Sequence, residues 1–280
     1  MNNENLEFLL DSLKYLGFGE KLYLHRQLEE FVTQEVKDFQ LETSAVFDEE
    51  TVLEVRLHFR RSDQMDMYFF NKYEASLLHP DDPAKDRKQL FYINRGSGVT
   101  LKEAYNLLQG RAVNKDLTNF EGVKYNAWIQ LNFDERDQND YYKVKQFGVQ
   151  YGYDLEKTLE KYPILELKNY ELRNSLLRSL KRGNLHTVTF EKLNKTEKMV
   201  IEANPRYKTI NIYSLANRIA EKISSKQGHG STEVSEPKTD NDNGRSATEE
   251  ESARDETGEI KEEELESSTA KSSAKKKNYR

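Results

Sequence analysis

Apolar residues recur every three or four positions at the start of the chain, at Leu6, Leu9, Leu10, Leu13 and Leu16. That spacing lines one face of a helix. Gly17 or Gly19 supplies a left-handed stop, and Leu24, Leu28, Phe31 and Val36 carry the same period into a second helix. The N-terminus therefore reads as a helical hairpin with a Gly-Phe-Gly elbow.

The period then changes. Leu53, Val55, Leu57 and Phe59 alternate with Glu54, Arg56, His58 and Arg60, the two-residue repeat of a half-buried strand. A partner strand over 39–47 precedes it, with Asp48, Glu49 and Glu50 as the turn. Strands over 65–77 and 89–94 follow, separated by a loop that Pro80 and Pro83 keep out of any ladder. Together these predict an antiparallel meander packed on the helical hairpin.

Thr100 and Glu103 form a capping box before a helix whose buried stripe is Leu101, Ala104, Tyr105 and Leu108 and whose stop is Gly110. A hairpin turning at 119–122 comes next. In its second strand Val123, Tyr125, Ala127, Ile129, Leu131 and Phe133 alternate with Lys124, Asn126, Trp128, Gln130 and Asn132, which places Trp128 on the polar face.

The same order recurs 73 residues later, the spacing of Gly110 and Gly183. Asn169 caps a helix bearing Leu172, Leu176 and Leu180, Gly183 ends it, and strands over 185–191 and 196–204 flank a turn at 193–195. A strand over 207–213 and a Ser214-capped helix with Leu215, Ile219 and Ile223 complete the pattern.

The predicted architecture is α+β: an N-terminal helical hairpin with antiparallel strands over 1–98, two helix–Gly–hairpin modules with a closing helix over 99–226, and a tail over 227–280. In the tail, Val234, Ile260, Leu265 and Tyr279 are the only large apolar residues, too few to offset chain entropy. It is expected to be disordered and charged.

Composition narrows the function. There is no cysteine, which excludes disulfides and thiol chemistry. Met1 to Asn5 lack the basic and apolar regions of a signal peptide, and no apolar run approaches the roughly 18 residues that span a bilayer. The expectation is a cytoplasmic chain with no membrane partner.

Charge is divided unevenly. The whole chain has net charge −6, yet residues 168–226 hold thirteen Lys/Arg against five Asp/Glu and net +8, while residues 1–167 net −9. Clustered positive charge attracts polyanions. An acidic half joined to a basic half also fits self-association or one dedicated binding face.

Several chemistries can be weighed residue by residue. The passage from Asn94 to Thr100, with Gly96, Ser97, Gly98 and Thr100, resembles an anion cradle at a helix N-terminus. It lacks the third glycine of a dinucleotide fingerprint and the Gly-Lys-Ser/Thr ending of a phosphate loop, and a tight strand-to-helix connection is the plainer reading. The five histidines are scattered without ligand spacing. Residues 134–140 are oxygen-rich but lack the glycine and closing glutamate of a calcium loop, so they read as a polar hairpin loop. No nucleophile elbow is present. No catalytic residue, metal ligand or cofactor is assigned, and the chain is not expected to be an enzyme.

The basic segment carries the candidate site. Arg178, Lys181 and Arg182 lie on or just after one helix, Lys195 and Lys198 mark the following hairpin, and Arg206, Tyr207 and Lys208 interleave cations with an aromatic ring. Cations neutralise phosphates and a ring stacks on bases. The plainer alternative is a solvated helix and hairpin whose tyrosines pack internally.

The strings Leu13-Lys14-Tyr15-Leu16-Gly17-Phe18-Gly19, Thr100-Leu101-Lys102-Glu103-Ala104-Tyr105-Asn106-Leu107-Leu108, Gly110-Arg111-Ala112-Val113-Asn114-Lys115 and Glu202-Ala203-Asn204-Pro205 resemble an uncharacterised protein family, a domain of unknown function associated with conjugative transposons and other mobile genetic elements of Bacteroidetes. The resemblance covers about 1–220. It brings no catalytic residues and implies a setting of DNA transfer. The expected function is a non-catalytic accessory protein of a mobile element that binds nucleic acid, DNA above RNA, through 168–226. The alternative is a protein–protein interaction scaffold within a mobilisation system, with a partner protein or a second copy.

Overall fold

The computed structural model describes residues 3–19, 21–93, 98–192 and 195–215. Helix α1 (Asn3–Tyr15) buries Leu9, Leu13 and Leu16, and α2 (Leu22–Thr33) buries Leu24, Leu28 and Val32. At the end of α1, Gly17 N donates to Lys14 O and Phe18 N to Leu13 O, both at 3.0 Å, which pairs two carbonyls the helix leaves open. Gly17 has φ +86°, so a glycine belongs there.

Strands β1 (Asp38–Ala45), β2 (Val52–Arg61), β3 (Tyr68–Leu78) and β4 (Arg87–Tyr92) form an antiparallel sheet in sequence order. Its register aligns Leu41 with Leu57, Leu57 with Tyr73, and Tyr73 with Phe91, one buried row across all four strands. The Phe18 ring meets Tyr73 edge-on at 5.2 Å and closes the helical elbow onto this row. The third strand starts at Tyr68 rather than 65, because Ser62 N donates to Met67 O and makes 62–67 a turn.

Helix α3 (Leu101–Leu108) begins with the expected capping box: Thr100 N donates to Glu103 Oε2 at 2.9 Å and Glu103 N to Thr100 Oγ1 at 3.4 Å. Strands β5 (Val113–Thr118), β6 (Lys124–Arg136) and β7 (Tyr142–Gly148) follow as an antiparallel sheet. Helices α4 (Leu155–Leu159) and α5 (Tyr170–Lys181) lead to β8 (His186–Lys192), β9 (Lys195–Asn204) and β10 (Thr209–Ser214), a sheet in the order β10-β9-β8. Each helix–glycine step thus leads to three strands. Neither β7 nor α4 was among the predicted elements. The 134–140 run spans the end of β6 and the hairpin loop to β7, tied by Asp137 Oδ1, which accepts from Asn139 N and Tyr141 N.

The middle sheet separates two cores. On one side Val113, Ile129 and Leu131 join the residues of α1 to α3 and β1 to β4; on the other Ala112, Trp128 and Phe147 join α4, α5 and β8 to β10. This corrects the expectation for Trp128. The residue is 5 % exposed, with its ring edge-on to Tyr153 at 5.4 Å, because β6 is covered on both faces and alternation marks only which core a residue enters. The first core also runs across the boundary expected at 98/99. The closing helix beyond Leu215 and the tail over 227–280 lie outside the described residues.

Candidate nucleic-acid interface

The thirteen cations of the basic segment do not form one patch. Two are spent on ion pairs: Lys168 with Glu191 at 2.7 Å, and Arg173 with Glu156 at 2.5 Å and Glu160 at 3.0 Å. Lys192, Arg218, Lys222 and Lys226 have no described side chain. The remaining seven are Arg178, Lys181, Arg182, Lys195, Lys198, Arg206 and Lys208, all exposed and without an acidic partner among the described residues.

Sheet register divides these seven between two ends. His186 pairs with Ile201 and Asn204 with Thr209, so the C-terminal turn of α5, which feeds β8, and the β9–β10 turn belong to the same end. Lys195 lies at the other end, opposite Lys192. Nine strand steps separate Lys195 from Asn204, about 30 Å at 3.3 Å per residue. One end therefore carries Arg178, Lys181, Arg182, Arg206, Tyr207 and Lys208, and the other carries Lys195 and Lys198.

Arg178, Lys181 and Arg182 crowd the last turn of α5, where exposed carbonyls favour cations by about 0.3–1 kcal/mol each at low ionic strength. That turn is held by the preceding module. Asn106, fully buried on α3, donates through Nδ2 to Arg182 O at 2.6 Å and to Asn184 Oδ1 at 2.9 Å. Gly183 is pressed against the same elements: a Cβ there would lie 2.8 Å from Ala112 O and 2.9 Å from Val113 Cγ2.

Tyr207 is not on a strand as the periodicity suggested. Pro205–Tyr207 is a 3-10 turn capped by Asn204, and Lys208 takes the left-handed region at φ +52° before β10 begins. The turn is anchored by Tyr151, whose hydroxyl donates to Arg206 O at 2.7 Å and whose ring lies 4.7 Å from Lys208 Nζ. Tyr207 is 68 % exposed with the Arg206 guanidinium 5.5 Å from its ring centre. The turn thus presents a ring and two cations on a rigid base.

The cradle expected at Gly96, Ser97, Gly98 and Thr100 fares differently. Gly96 and Ser97 lie outside the described residues. Leu101 N donates to Leu16 O at 2.8 Å, Glu103 N is taken by Thr100 Oγ1 and Ala104 N by Thr100 O, so the helix start is already bonded to protein. Gly98 answers to packing, since a Cβ would lie 2.8 Å from Leu16 Cδ2. The tight-connection reading accounts for what is described.

A second cationic group was not singled out from the sequence. Lys102 Nζ lies 4.1 Å from the Phe47 ring centre and 4.3 Å from that of Tyr105, and the Arg111 guanidinium lies 5.2 Å from the Tyr105 centre. The Tyr105 hydroxyl donates to Asp48 Oδ2. Burial and then the Arg111 charge push the Lys102 amine down to about 8, against the pull of Asp48. Burial works to raise the Asp48 carboxyl, but hydrogen bonds from Tyr105, Thr51 and the Glu50 and Thr51 amides outweigh it and hold the group below its ordinary range. The one local signal was the helical spacing of Lys102 and Tyr105; Phe47 and Asp48 are more than fifty residues away in sequence.

A groove of about 1000 Å³ is lined by Phe8, Tyr15, Leu16, Phe69, Phe70, Ile93 and Phe120. Phe120 is 98 % exposed at its rim. Among the described residues no group of side chains could hold a metal ion, and no helix is long and apolar enough to cross a membrane. No family model, no curated protein and no solved structure matches the chain.

Proposed function

We propose that this chain is a non-catalytic accessory protein of a mobile genetic element that binds nucleic acid, DNA above RNA, through its last three-stranded module. Lys181, Arg182, Arg206 and Lys208 contact phosphates, with Arg178 beside them, and Tyr207 stacks on a base. The observation that carries this reading is the shared end of the module, where five exposed cations without acidic partners among the described residues accompany an exposed ring. Lys195 and Lys198, at the far end, are accessory contacts for a longer strand. Titration of labelled single- and double-stranded DNA at two salt concentrations tests it. Absence of binding at low salt overturns it, as does binding unaltered by Ala at Lys181, Arg182, Arg206 and Lys208.

The apolar groove at α1 supports a second reading, an interaction scaffold in a mobilisation system. Exposed aromatic side chains lining a concavity are a common mark of a protein partner's site. Dimers that persist at raised salt would favour this reading over the first.

A further inference from the structure

We propose that Lys102 and Arg111 together bind a phosphate group beside the Tyr105 ring. Both cations lie within 5.2 Å of that ring's centre, and neither has an acidic partner within ion-pair distance among the described residues. Lys102 lies over the faces of Phe47 and Tyr105 and feels the Asp48 charge from beyond ion-pair distance. Arg111 Nη2 donates to a neutral acceptor, Asn106 Oδ1, at 2.7 Å, and its buried Nε has no acceptor. The acid of the group, Asp48, is already committed: its oxygens accept from the Tyr105 hydroxyl, Thr51 Oγ1, Thr51 N and Glu50 N.

A ring face accounts for one cation held beside it. It does not account for two like charges at a single ring, where each makes the other more costly. Asp48 supplies one negative charge against two positive ones, and an oxyanion would supply the second together with acceptors for the Lys102 amine. A guanidinium fork beside an ammonium suits phosphate in particular, which offers several acceptor oxygens and up to two negative charges. Burial first, and then the Arg111 charge, lower the Lys102 amine against the pull of Asp48, and a bound anion would raise it again.

The site lies outside residues 168–226 and does not depend on the nucleic-acid reading. It nevertheless borders that interface, because Asn106 accepts from Arg111 and donates to Arg182 O. The phosphate could belong to a nucleic-acid backbone or to a small phosphate ester, and one experiment separates them. The full chain is acetylated with limiting acetic anhydride, and the rate at Lys102 is followed by peptide mass spectrometry beside the exposed Lys124 and Lys161. The arms are inorganic phosphate, chloride at matched ionic strength, and a single-stranded oligonucleotide.

A saturating ligand should slow Lys102 at least about threefold and leave Lys124 and Lys161 unchanged. Protection by the oligonucleotide at lower phosphate concentration assigns the site to a nucleic-acid backbone; protection by inorganic phosphate alone assigns it to a small ester. In Arg111→Gln the protection should vanish, and in Arg111→Lys part of it should remain. If neither phosphate nor oligonucleotide slows Lys102 more than chloride does, the proposal is wrong. Undiminished protection in a folded Arg111→Gln variant overturns it equally.

Discussion

The side-chain amide of Asn106 donates a 2.6 Å hydrogen bond to the carbonyl of Arg182, across 76 residues of sequence. This bond fastens the basic end of α5 to the helix of the preceding module. Asn106→Ala would leave the Arg182 carbonyl and the Asn184 and Arg111 side chains without this partner in a buried setting. The expected loss is about 1–3 kcal/mol of unfolding free energy, read from a denaturant midpoint shift at constant m-value.

Gly183 and Gly122 allow the same question to be asked with and without a neighbour. Both have positive φ, +76° and +84°, but a Cβ on Gly122 meets nothing within 4 Å while one on Gly183 strikes Ala112 O. Gly122→Ala should cost about 1–2 kcal/mol for the left-handed backbone alone. Gly183→Ala should cost about 1–3 kcal/mol more, because the neighbouring backbone cannot yield cheaply. Equal midpoint shifts would show that the seam is looser than it looks.

Trp128 tests the double-sided burial of β6. A tryptophan on a solvated strand face would lose little on truncation. One locked between Tyr153 and the second core should lose about 3–5 kcal/mol in Trp128→Ala, measured by the same unfolding experiment.

Much of the fold is legible locally. The leucine stripe of α1, the Thr100–Glu103 box and the glycines that end α1, α3 and α5 are set within a few residues of themselves, and the structure has each of them. Trp128 is not legible that way, since alternation tells the two faces of a strand apart but not whether both are covered. The charge count over 168–226 also overstates the site. Lys168 and Arg173 find acids at Glu191, Glu156 and Glu160, and only strand register shows that Lys195 lies about 30 Å along β9 from Asn204 and the turn that carries Arg206 and Lys208. Lys102, Arg111 and Asp48 meet at Tyr105 through tertiary packing that no local pattern announces.

Lys102 also makes stability depend on pH in an unusual direction. Its amine falls from the ordinary 10.5 to about 8 on folding, so between these values the unfolded chain holds a proton that the native chain has released. Stability contributed by this group therefore rises with pH across that window. Above about 10 the buried Tyr73 and Tyr105, both raised by burial first of all, pull the other way, because their unfolded phenols ionise before the native ones. Chemical denaturation from pH 7 to 10 should show the rise in the native chain and a flatter profile in Lys102→Met.

The salt dependence of DNA binding tests the central claim most directly. For duplex DNA each phosphate contact contributes about 0.9 to the slope of log K against log salt. Ala at Lys181, Arg182, Arg206 and Lys208 should lower the slope by about three to four, whereas Ala at Lys195 and Lys198 should change it by less than half as much. An unchanged slope in the fourfold variant, or a larger loss from the Lys195 and Lys198 pair, would contradict the account.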